Sequence, residues 1–189
     1  MKYFEEHVFK ALNTLEKGDY EYCTFDNCDL SGADLKYCTF VDCIFNDCNL
    51  SSTKMISTAL RNVTFNNCKL MGVNFESCNP LLFDISCTNS QMNFCTFYQM
   101  TLKKVTFDNC TMHEVDFTEA DLSGSKLKNC DLKDAHFERT TLLKTDFRTS
   151  FNFSIDPEAN QIKGALFSKE SIAGLLDKYQ IKINWKRLM

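Results

Sequence analysis

Residues 18–50 read GDYEYCTFDNCDLSGADLKYCTFVDCIFNDCNL, and an apolar side chain recurs at every fifth position of this stretch. Twelve consecutive repeats follow this rule from Tyr20 to Phe75, and twelve more follow it from Met92 to Phe147. The two tracts differ by two residues in register, which predicts a short insertion between them. A fixed period over most of a chain indicates a repeat protein whose stacked units share one core.

A second regularity lies two residues before each apolar centre, where the side chain is small at every repeat except Met100. Nine of the eleven cysteines occupy this position, while Cys78 and Cys87 fall in the irregular stretch 76–91. A reduced cysteine packs as a small apolar group, so the pattern predicts structural thiols. Metal binding and redox sensing are the alternatives, but the C-x4-C spacing follows the core position and not a ligand spacing.

The period of five matches neither a helical turn of about 3.6 residues nor the alternation of a strand. It matches a solenoid in which each pentad forms one side of a square coil and four pentads complete the coil. Residues twenty apart then stack, for example Phe97 on Phe117 and Leu102 on Leu122. Neighbouring coils are expected to pair as parallel β ladders about 4.8 Å apart. The predicted class is therefore all-β.

Three stretches carry the tandem motif A-x-[LF]: Ala33-Asp34-Leu35, Ala120-Asp121-Leu122 and Ala135-His136-Phe137. In this motif the chain resembles the pentapeptide-repeat family, and the likeness covers roughly residues 18–167. The resemblance implies a right-handed quadrilateral parallel β-helix. It also implies a candidate activity, because relatives of the quinolone-resistance type (Qnr and MfpA) bind DNA gyrase and topoisomerase IV and so protect them from quinolones.

The ends of a solenoid expose its core unless they are capped. Residues 1–17 are therefore expected to form an N-terminal cap. Within them, Phe4, Val8 and Leu12 are spaced for a short helix that ends at Gly18, and an irregular first coil is the alternative.

The repeat region, residues 18–167, is interrupted by the register break at residues 76–91. Pro80 falls where an apolar centre belongs, and proline cannot donate a ladder hydrogen bond. We therefore expect a bulged corner at this place, with Leu82 or Ile85 serving as the centre. The break is not expected to separate two domains.

The C-terminal segment, residues 168–189, is predicted to hold a helix over 169–179 with Ser168 as its N-cap, followed by a short strand. One interpretation is a cap on the last coil. The other is a homodimer interface, which the family resemblance implies. The apolar side chains available for it are Ile172, Leu175, Leu176, Tyr179, Ile181, Ile183 and Trp185.

The sequence holds no motif of a known catalytic site, neither a nucleophile elbow, a phosphate-binding loop, a zinc-protease helix nor a dinucleotide fingerprint. We predict that the protein is not an enzyme, and that it has no catalytic residues, no metal and no cofactor. No apolar run is long enough to span a membrane, and residues 1–19 do not read as a secretory signal. A cytoplasmic location is the resulting expectation.

Charge is unevenly distributed along the chain, although the net charge is only −4. Residues 21–50 sum to −5, residues 51–75 to +3 and residues 76–122 to −5, while residues 123–150 and 151–189 each sum to +2. Acidic belts on a rod can imitate the phosphates of DNA and attract a DNA-binding surface. The candidate partner-binding acids are Asp26, Asp29, Asp34, Asp42, Asp47, Glu114, Asp116, Glu119 and Asp121.

Two functions follow from these features. The first is a non-enzymatic DNA mimic that binds a type II topoisomerase (DNA gyrase or topoisomerase IV) as a homodimer and gives quinolone protection. The alternative is a structural or scaffolding module that binds another protein. Neither predicts direct contact with nucleic acid or with a membrane.

Overall fold

The strands pair in parallel with strands one coil away, at a register of twenty residues, as in Phe25 with Phe45 and Phe107 with Leu127. This computed structural model describes residues 2–183. The strands are β1 (Lys2–Glu5), β2 (Val8–Lys10), β3 (Gly18–Glu21), β4 (Thr24–Asp26), β5 (Thr39–Val41), β6 (Ile44–Asn46), β7 (Ala59–Arg61), β8 (Val63–Asn66), β9 (Ile85–Thr88), β10 (Thr106–Asp108) and β11 (Lys126–Lys128). They form two parallel sheets, ordered β1-β3-β5-β7 and β11-β10-β9-β8-β6-β4-β2. The architecture is the predicted all-β solenoid.

Each coil has four sides, which we number by their apolar centres. Face 1 has its centres at Tyr20, Phe40, Leu60, Leu102, Leu122 and Leu142. Face 2 has them at Phe25, Phe45, Phe65, Cys87, Phe107, Leu127 and Phe147. Face 3 has them at Leu30, Leu50, Leu70, Met92, Met112 and Leu132. Face 4 has them at Leu35, Met55, Phe75, Phe97, Phe117 and Phe137.

The centres are buried and form columns along the interior, as the sequence predicted. Phe25 and Phe45 stack with ring centroids 4.4 Å apart, and Phe45 and Phe65 follow at 5.2 Å. On face 4, Phe97 and Phe117 stack at 5.5 Å. Stacked aromatic rings fill the narrow interior at the density that protein cores require.

The small position before each centre has a hydrogen-bonding role in addition to its packing role. The Cys48 thiol donates to the carbonyl oxygen of Phe25 at 3.3 Å, and Thr58 Oγ1 donates to that of Leu35 at 2.7 Å. The same contact, from a side chain to the centre carbonyl of the coil below, is made by Cys43, Cys68, Ser90, Cys95, Cys110, Ser125, Cys130, Thr140, Thr145 and Ser150. A buried carbonyl is costly without a partner, so a small donor is favoured here over alanine.

The register break is a two-residue insertion between faces 1 and 2, because Ala59 still bridges Asn79 at the regular offset of twenty residues. Across it the pairing offset becomes twenty-two residues, with Val63 opposite Ile85 and Phe65 opposite Cys87. The prediction of the centre was wrong. Leu82 is 69% exposed at the tip of the bulge, and Ile85 is buried in the small position, so that Cys87 takes the place of the centre.

The predicted N-terminal helix is also wrong, because residues 2–10 contribute strands β1 and β2 to the two sheets. Phe4 stacks on Tyr20 at 4.8 Å, and Phe9 stacks on Phe25 at 5.1 Å. These contacts extend two core columns by one step. The segment is thus a shortened first coil, paired with the next at an offset of sixteen residues, as in Lys2 with Gly18.

The C-terminal segment contains two 3₁₀ helices, Ile172–Leu175 and Asp177–Tyr179, where one longer helix was predicted. The Gly174 carbonyl accepts the Ile155 N–H at 2.9 Å, so it is engaged by the last coil and not by an α-helical turn. A Cβ at Gly174 would lie 2.1 Å from the Phe153 carbonyl oxygen, which only glycine permits. Ser168 bonds to Ser171 and is not an N-cap, since Ser171 precedes the first helix.

The strand predicted after this segment is absent from its described part, since residues 181–183 have no regular structure. The prediction for Trp185 lies outside the described residues. None of the helices within residues 2–183 has the length and apolar content that a membrane crossing requires.

Candidate functional site

The thiols are part of the hydrophobic core. All eleven cysteines are buried and none forms a disulfide bond. Burial raises the pKa of Cys78 to about 12 and that of Cys95 to about 12, so these thiols stay protonated at neutral pH. Within residues 2–183, no three His, Cys, Asp or Glu side chains converge as metal ligands.

The acids singled out from the sequence do not form one surface. Asp26 and Asp47 flank face 2, Asp29 lies on face 3 and Asp34 on face 4. Asp42 lies at the corner between faces 1 and 2, and its neighbour one coil on is Asn62, whose Nδ2 donates to Asp42 Oδ1 at 2.5 Å. In the later coils, Asp121 lies on face 1. The remaining three, Glu114, Asp116 and Glu119, follow one another around face 4.

Several of the dispersed acids already have a local partner. Lys17 Nζ lies 3.0 Å from Asp34 Oδ2, and this hydrogen bond holds the pKa of Asp34 below its usual range. Lys103 pairs in the same way with Asp121 at 3.1 Å. Carboxylates engaged like this contribute less to a long-range negative potential than unpaired ones do.

A different set of carboxylates comes together on face 4 of the last three coils. We call it the acidic face, and it consists of Glu114, Asp116, Glu119, Asp134, Glu138, Asp156 and Glu158. The basic side chains among them are Arg139 and Lys178. Four of the seven acids were missed from the sequence, although a twenty-residue step from Glu114 leads to Asp134 and two such steps from Asp116 lead to Asp156.

The acidic face contains an open groove of about 510 Å³. Its lining residues are Asp116, Thr118, Asp134, Ala135, His136, Phe137, Glu138, Ser154, Asp156 and Ala159. His136 sits one coil above Asp116, with which it shares a parallel bridge.

Two cations form ion pairs with four of the carboxylates of the acidic face. Arg139 contacts Glu119 at 2.8 Å and Glu138 at 2.6 Å. A hydrogen bond from Gln99, together with Arg139, lowers the pKa of Glu119. The Lys178 ammonium bridges Asp156 at 2.7 Å and Glu158 at 2.6 Å. By contrast Glu114, Asp116 and Asp134 have no ion pair within residues 2–183, and they leave the side of the acidic face next to face 3 negative.

The apolar side chains predicted for a dimer interface divide into two groups. Leu175 packs against the core and belongs to the cap. Exposed apolar side chains remain at Ile172, Leu176, Tyr179, Ile181 and Ile183. Tyr179 is 55% exposed and Ile181 is 56% exposed, so this end of the solenoid presents apolar area to solvent.

Solved structures with the same fold include two forms of QnrB1, a plasmid-mediated fluoroquinolone resistance protein. A trypsin-treated variant matches with a TM-score of 0.56 at 20% identity, over 97% of this chain and 100% of that chain. Full-length QnrB1 matches with a TM-score of 0.54 at 19% identity, over 95% of this chain and 100% of that chain. HetL, from the cyanobacterium Nostoc sp., has a TM-score of 0.38 at 14% identity, over 87% of this chain and 84% of that chain. Identities this low show the fold alone.

A search of curated protein sequences finds no match. The family model that describes a pentapeptide repeat region matches residues 19–81 and 69–147, which together include most of the solenoid. The apolar centres, the small donors two residues before them and the four-sided coils are all found in these two ranges. The chain belongs to the pentapeptide repeat family.

Proposed function

We propose that this protein is a non-enzymatic binding module whose acidic face holds a basic surface of another protein. The observation that carries the proposal is the alignment of seven carboxylates with two cations on one face of the last coils. The interior is filled by side chains, so binding falls to the outward positions of the repeats.

The geometry of the acidic face suits a protein surface better than a small molecule. Its groove is open along the face, and Glu114 and Asp134 at its margin are exposed. A cation placed over Asp116 and Asp134 meets carboxylates that have no ion-pair partner within residues 2–183. Complementary charge of this kind accelerates association and selects a basic partner.

A type II topoisomerase is the first partner to test. QnrB1 has the same fold along nearly its whole length and is described as a fluoroquinolone resistance protein. A topoisomerase grips the phosphates of DNA with a basic surface, which an acidic face can occupy. The proposed activity is therefore protection of DNA gyrase or topoisomerase IV from quinolones through partial imitation of DNA.

The decisive experiment is a gyrase supercoiling assay in the presence of ciprofloxacin. The protein is expected to restore supercoiling, and the double variant Asp116→Asn, Asp134→Asn to restore much less. The matched control, Asp19→Asn with Asp47→Asn, removes the same charge from the early coils and is expected to behave like the parent. Failure to protect gyrase and topoisomerase IV at micromolar protein would overturn the topoisomerase assignment.

A scaffolding role with another partner is the alternative, and the same variants test it. The protein is crosslinked in lysate, and the captured proteins are compared between the parent, the double variant and the control. A basic partner other than a topoisomerase, lost only in the double variant, would support binding through the acidic face and reject the topoisomerase. A partner retained by the double variant would contradict the acidic face itself.

We further propose that two copies associate through the C-terminal segment. The support is the exposed apolar group formed by Ile172, Leu176, Tyr179, Ile181 and Ile183 at one end of the solenoid. Light scattering after gel filtration is expected to give a dimer for the parent and a monomer for Ile172→Asp with Ile181→Asp. A monomeric parent at high micromolar concentration would refute this association.

A further inference from the structure

Face 2 and its corner with face 1 change from acidic to basic along the solenoid. In the row of residues that follows the centres of face 2, successive coils place Asp26, Asn46, Asn66 and Thr88 in the early part, then Asp108 and Lys128. In the later coils cations dominate face 2, this corner and the adjoining end of face 1. We call this region the basic edge, and it consists of Lys103, Lys104, Lys126, Lys128, Lys144, Arg148 and Lys163, all exposed.

Alternating lysines and glycines shape the corner itself. Lys104, Gly124, Lys144 and Gly164 follow one another at twenty-residue steps. A Cβ at Gly124 would lie 3.5 Å from Lys104 Cγ, and a Cβ at Gly164 would lie 3.3 Å from Lys144 Cγ. The aliphatic part of each lysine side chain therefore packs over the glycine at the corner of the next coil. The two ammonium groups then share one line, separated by two coils or about 10 Å.

Most of the charge on the basic edge is unpaired. Lys103 is engaged by Asp121 at 3.1 Å, and Arg148 is engaged by Asp146 at 2.8 Å. Asp108 lies beside Lys128 in the ladder. Within residues 2–183, no ion pair is formed by Lys104, Lys126, Lys128, Lys144 or Lys163. Seven cations against three carboxylates leave this edge strongly positive.

We propose that the basic edge binds double-stranded nucleic acid through its phosphates. Three coil steps give the edge a length of about 14 Å. Over that length a duplex presents about four phosphates on each strand. Lysine is a compact point charge without the planar fork of arginine, so its contacts select phosphate charge and not base sequence. The predicted binding is therefore independent of sequence and steeply dependent on salt.

The composition of the edge argues against other polyanions. The outward positions of faces 1 and 2 between residues 101 and 169 carry no aromatic side chain on which unpaired bases could stack. An acidic protein partner would need buried aromatic or arginine anchors, and this edge has one arginine, already paired. Among residues 101–169 of faces 1 and 2, Leu166 is the one exposed large apolar side chain. A lipid surface binds a protein through a larger buried apolar area than this.

This inference does not depend on the proposed function. The acidic face lies on face 4, half a coil away from face 2, so one partner at each site is sterically compatible. The sequence predicted no contact with nucleic acid, because charge summed along the chain mixes the acids of face 4 with the lysines of this edge. The early coils carry Asp26 and Asp42 along the same line, so a duplex is expected to contact the later coils only.

The test is fluorescence anisotropy with a labelled duplex of about 16 base pairs of random sequence, titrated with the full chain at about 25 to 200 mM KCl. We expect a dissociation constant of about 10⁻⁵ M at low salt that weakens steeply as salt rises. The variant Lys104→Gln with Lys144→Gln is expected to bind at least about tenfold more weakly and to lower the salt slope by about two. The matched control is Lys54→Gln with Lys69→Gln, two exposed lysines on faces 4 and 3, and it is expected to bind like the parent.

Three results would overturn the proposal. One is no binding of the duplex at about 100 μM protein in low salt. Another is an equal loss in the edge variant and its control, which would make the effect one of net charge. The third is binding to phosphatidylserine vesicles without binding to the duplex, which would assign the edge to a membrane surface. The circular dichroism of all variants is expected to match the parent, because every substituted side chain is exposed.

Discussion

The rings of Phe97 and Phe117 lie in successive coils with their planes 5° apart and their centroids separated by 5.5 Å. Both rings are fully buried, and Phe137 continues the column at 5.2 Å from Phe117. Phe117 therefore packs against one ring in the coil before it and one ring in the coil after it. Loss of one ring removes packing from two coil interfaces, which links local packing to the cooperativity of the whole stack.

The first prediction follows from this column. Phe117→Ala is expected to lower the free energy of unfolding by about 3–5 kcal/mol, because it removes a buried ring and leaves a cavity. Phe117→Asp is expected to cost more, since it also buries an unpaired charge. Thermal and urea unfolding followed by circular dichroism measure both. Asp116→Lys, one residue away but outward, is expected to leave the fold intact, and equal melting temperatures for Phe117→Asp and the parent would contradict the column.

The repeat pattern predicted the regular coils correctly because every centre obeys the same local rule. At the places where Leu82 and Ile85 were expected to be centres, the rule ended and the register depended on tertiary pairing with Val63 and Phe65. At the N-terminal end the apolar spacing is also compatible with a helix, but Phe4 instead stacks on Tyr20 and extends an existing core column. A linear pattern does not contain these competing contacts.

The candidate site was harder to predict than the fold. Acids were grouped by their proximity in sequence, whereas the solenoid groups residues by steps of twenty. Asp134 and Asp156 therefore join Asp116 on the acidic face, while Asp121, only five residues from Asp116, lies on the next face. Grouping by the repeat register would have found the acidic face and the basic edge from the sequence.

The second prediction concerns the hydrogen bonds of the small position. Ser90 Oγ accepts the N–H of Cys68 at 3.0 Å, and it contacts the carbonyl oxygens of Thr88 at 2.9 Å and Phe65 at 3.4 Å. Ser90→Ala leaves a buried N–H without a partner and is expected to destabilise the fold by about 1–3 kcal/mol. Urea unfolding measures the loss.

Ser90→Cys is the matched control. Cys48 Sγ already accepts the N–H of Cys28 at 3.4 Å in the same geometry. The cysteine variant is therefore expected to retain more of the stability than the alanine variant. If the two variants were equally stable, the small position would be selected for its size alone.

The third prediction tests the exchange of sizes at the register break. Ile85 fills a small position and Cys87 fills a centre, opposite Val63 and Phe65 respectively. Cys87→Phe alone is expected to overpack the coil and to lower the free energy of unfolding by about 1–3 kcal/mol. Ile85→Cys alone is expected to leave a void and to lower the free energy of unfolding by a similar amount.

The double variant restores the sizes found at every regular coil, so its stability is expected to lie close to that of the parent. The free energies of unfolding of the four proteins form a double-mutant cycle, and we expect a coupling of at least about 1 kcal/mol. Strict additivity of the two single costs would show that the two positions do not share one packing volume.

The last prediction concerns the attachment of the C-terminal segment and its dependence on pH. The Lys178 ammonium, 2.7 Å from Asp156 Oδ1, holds the pKa of that carboxyl below its ordinary value of 3.8. A carboxyl whose pKa is lowered by folding stabilises the folded form fully above its unfolded pKa, and this contribution is lost as the pH falls through the folded pKa. Because the same contacts raise the pKa of Lys178, the cation stays charged over this whole range.

Hydrogen exchange of the amides in residues 172–179 measures the attachment, expressed as protection factors at several pH values. In the parent, protection is expected to be constant down to about pH 4 and to fall at lower pH. Asp156→Asn is expected to show weaker protection already at neutral pH and a smaller further loss in acid. Glu170→Gln, an exposed acid on the same segment without an ion pair among residues 2–183, is expected to follow the parent. Full protection of these amides in Asp156→Asn at neutral pH would mean that the contact of Gly174 with Phe153, and not the Lys178 bridge, holds the segment to the last coil.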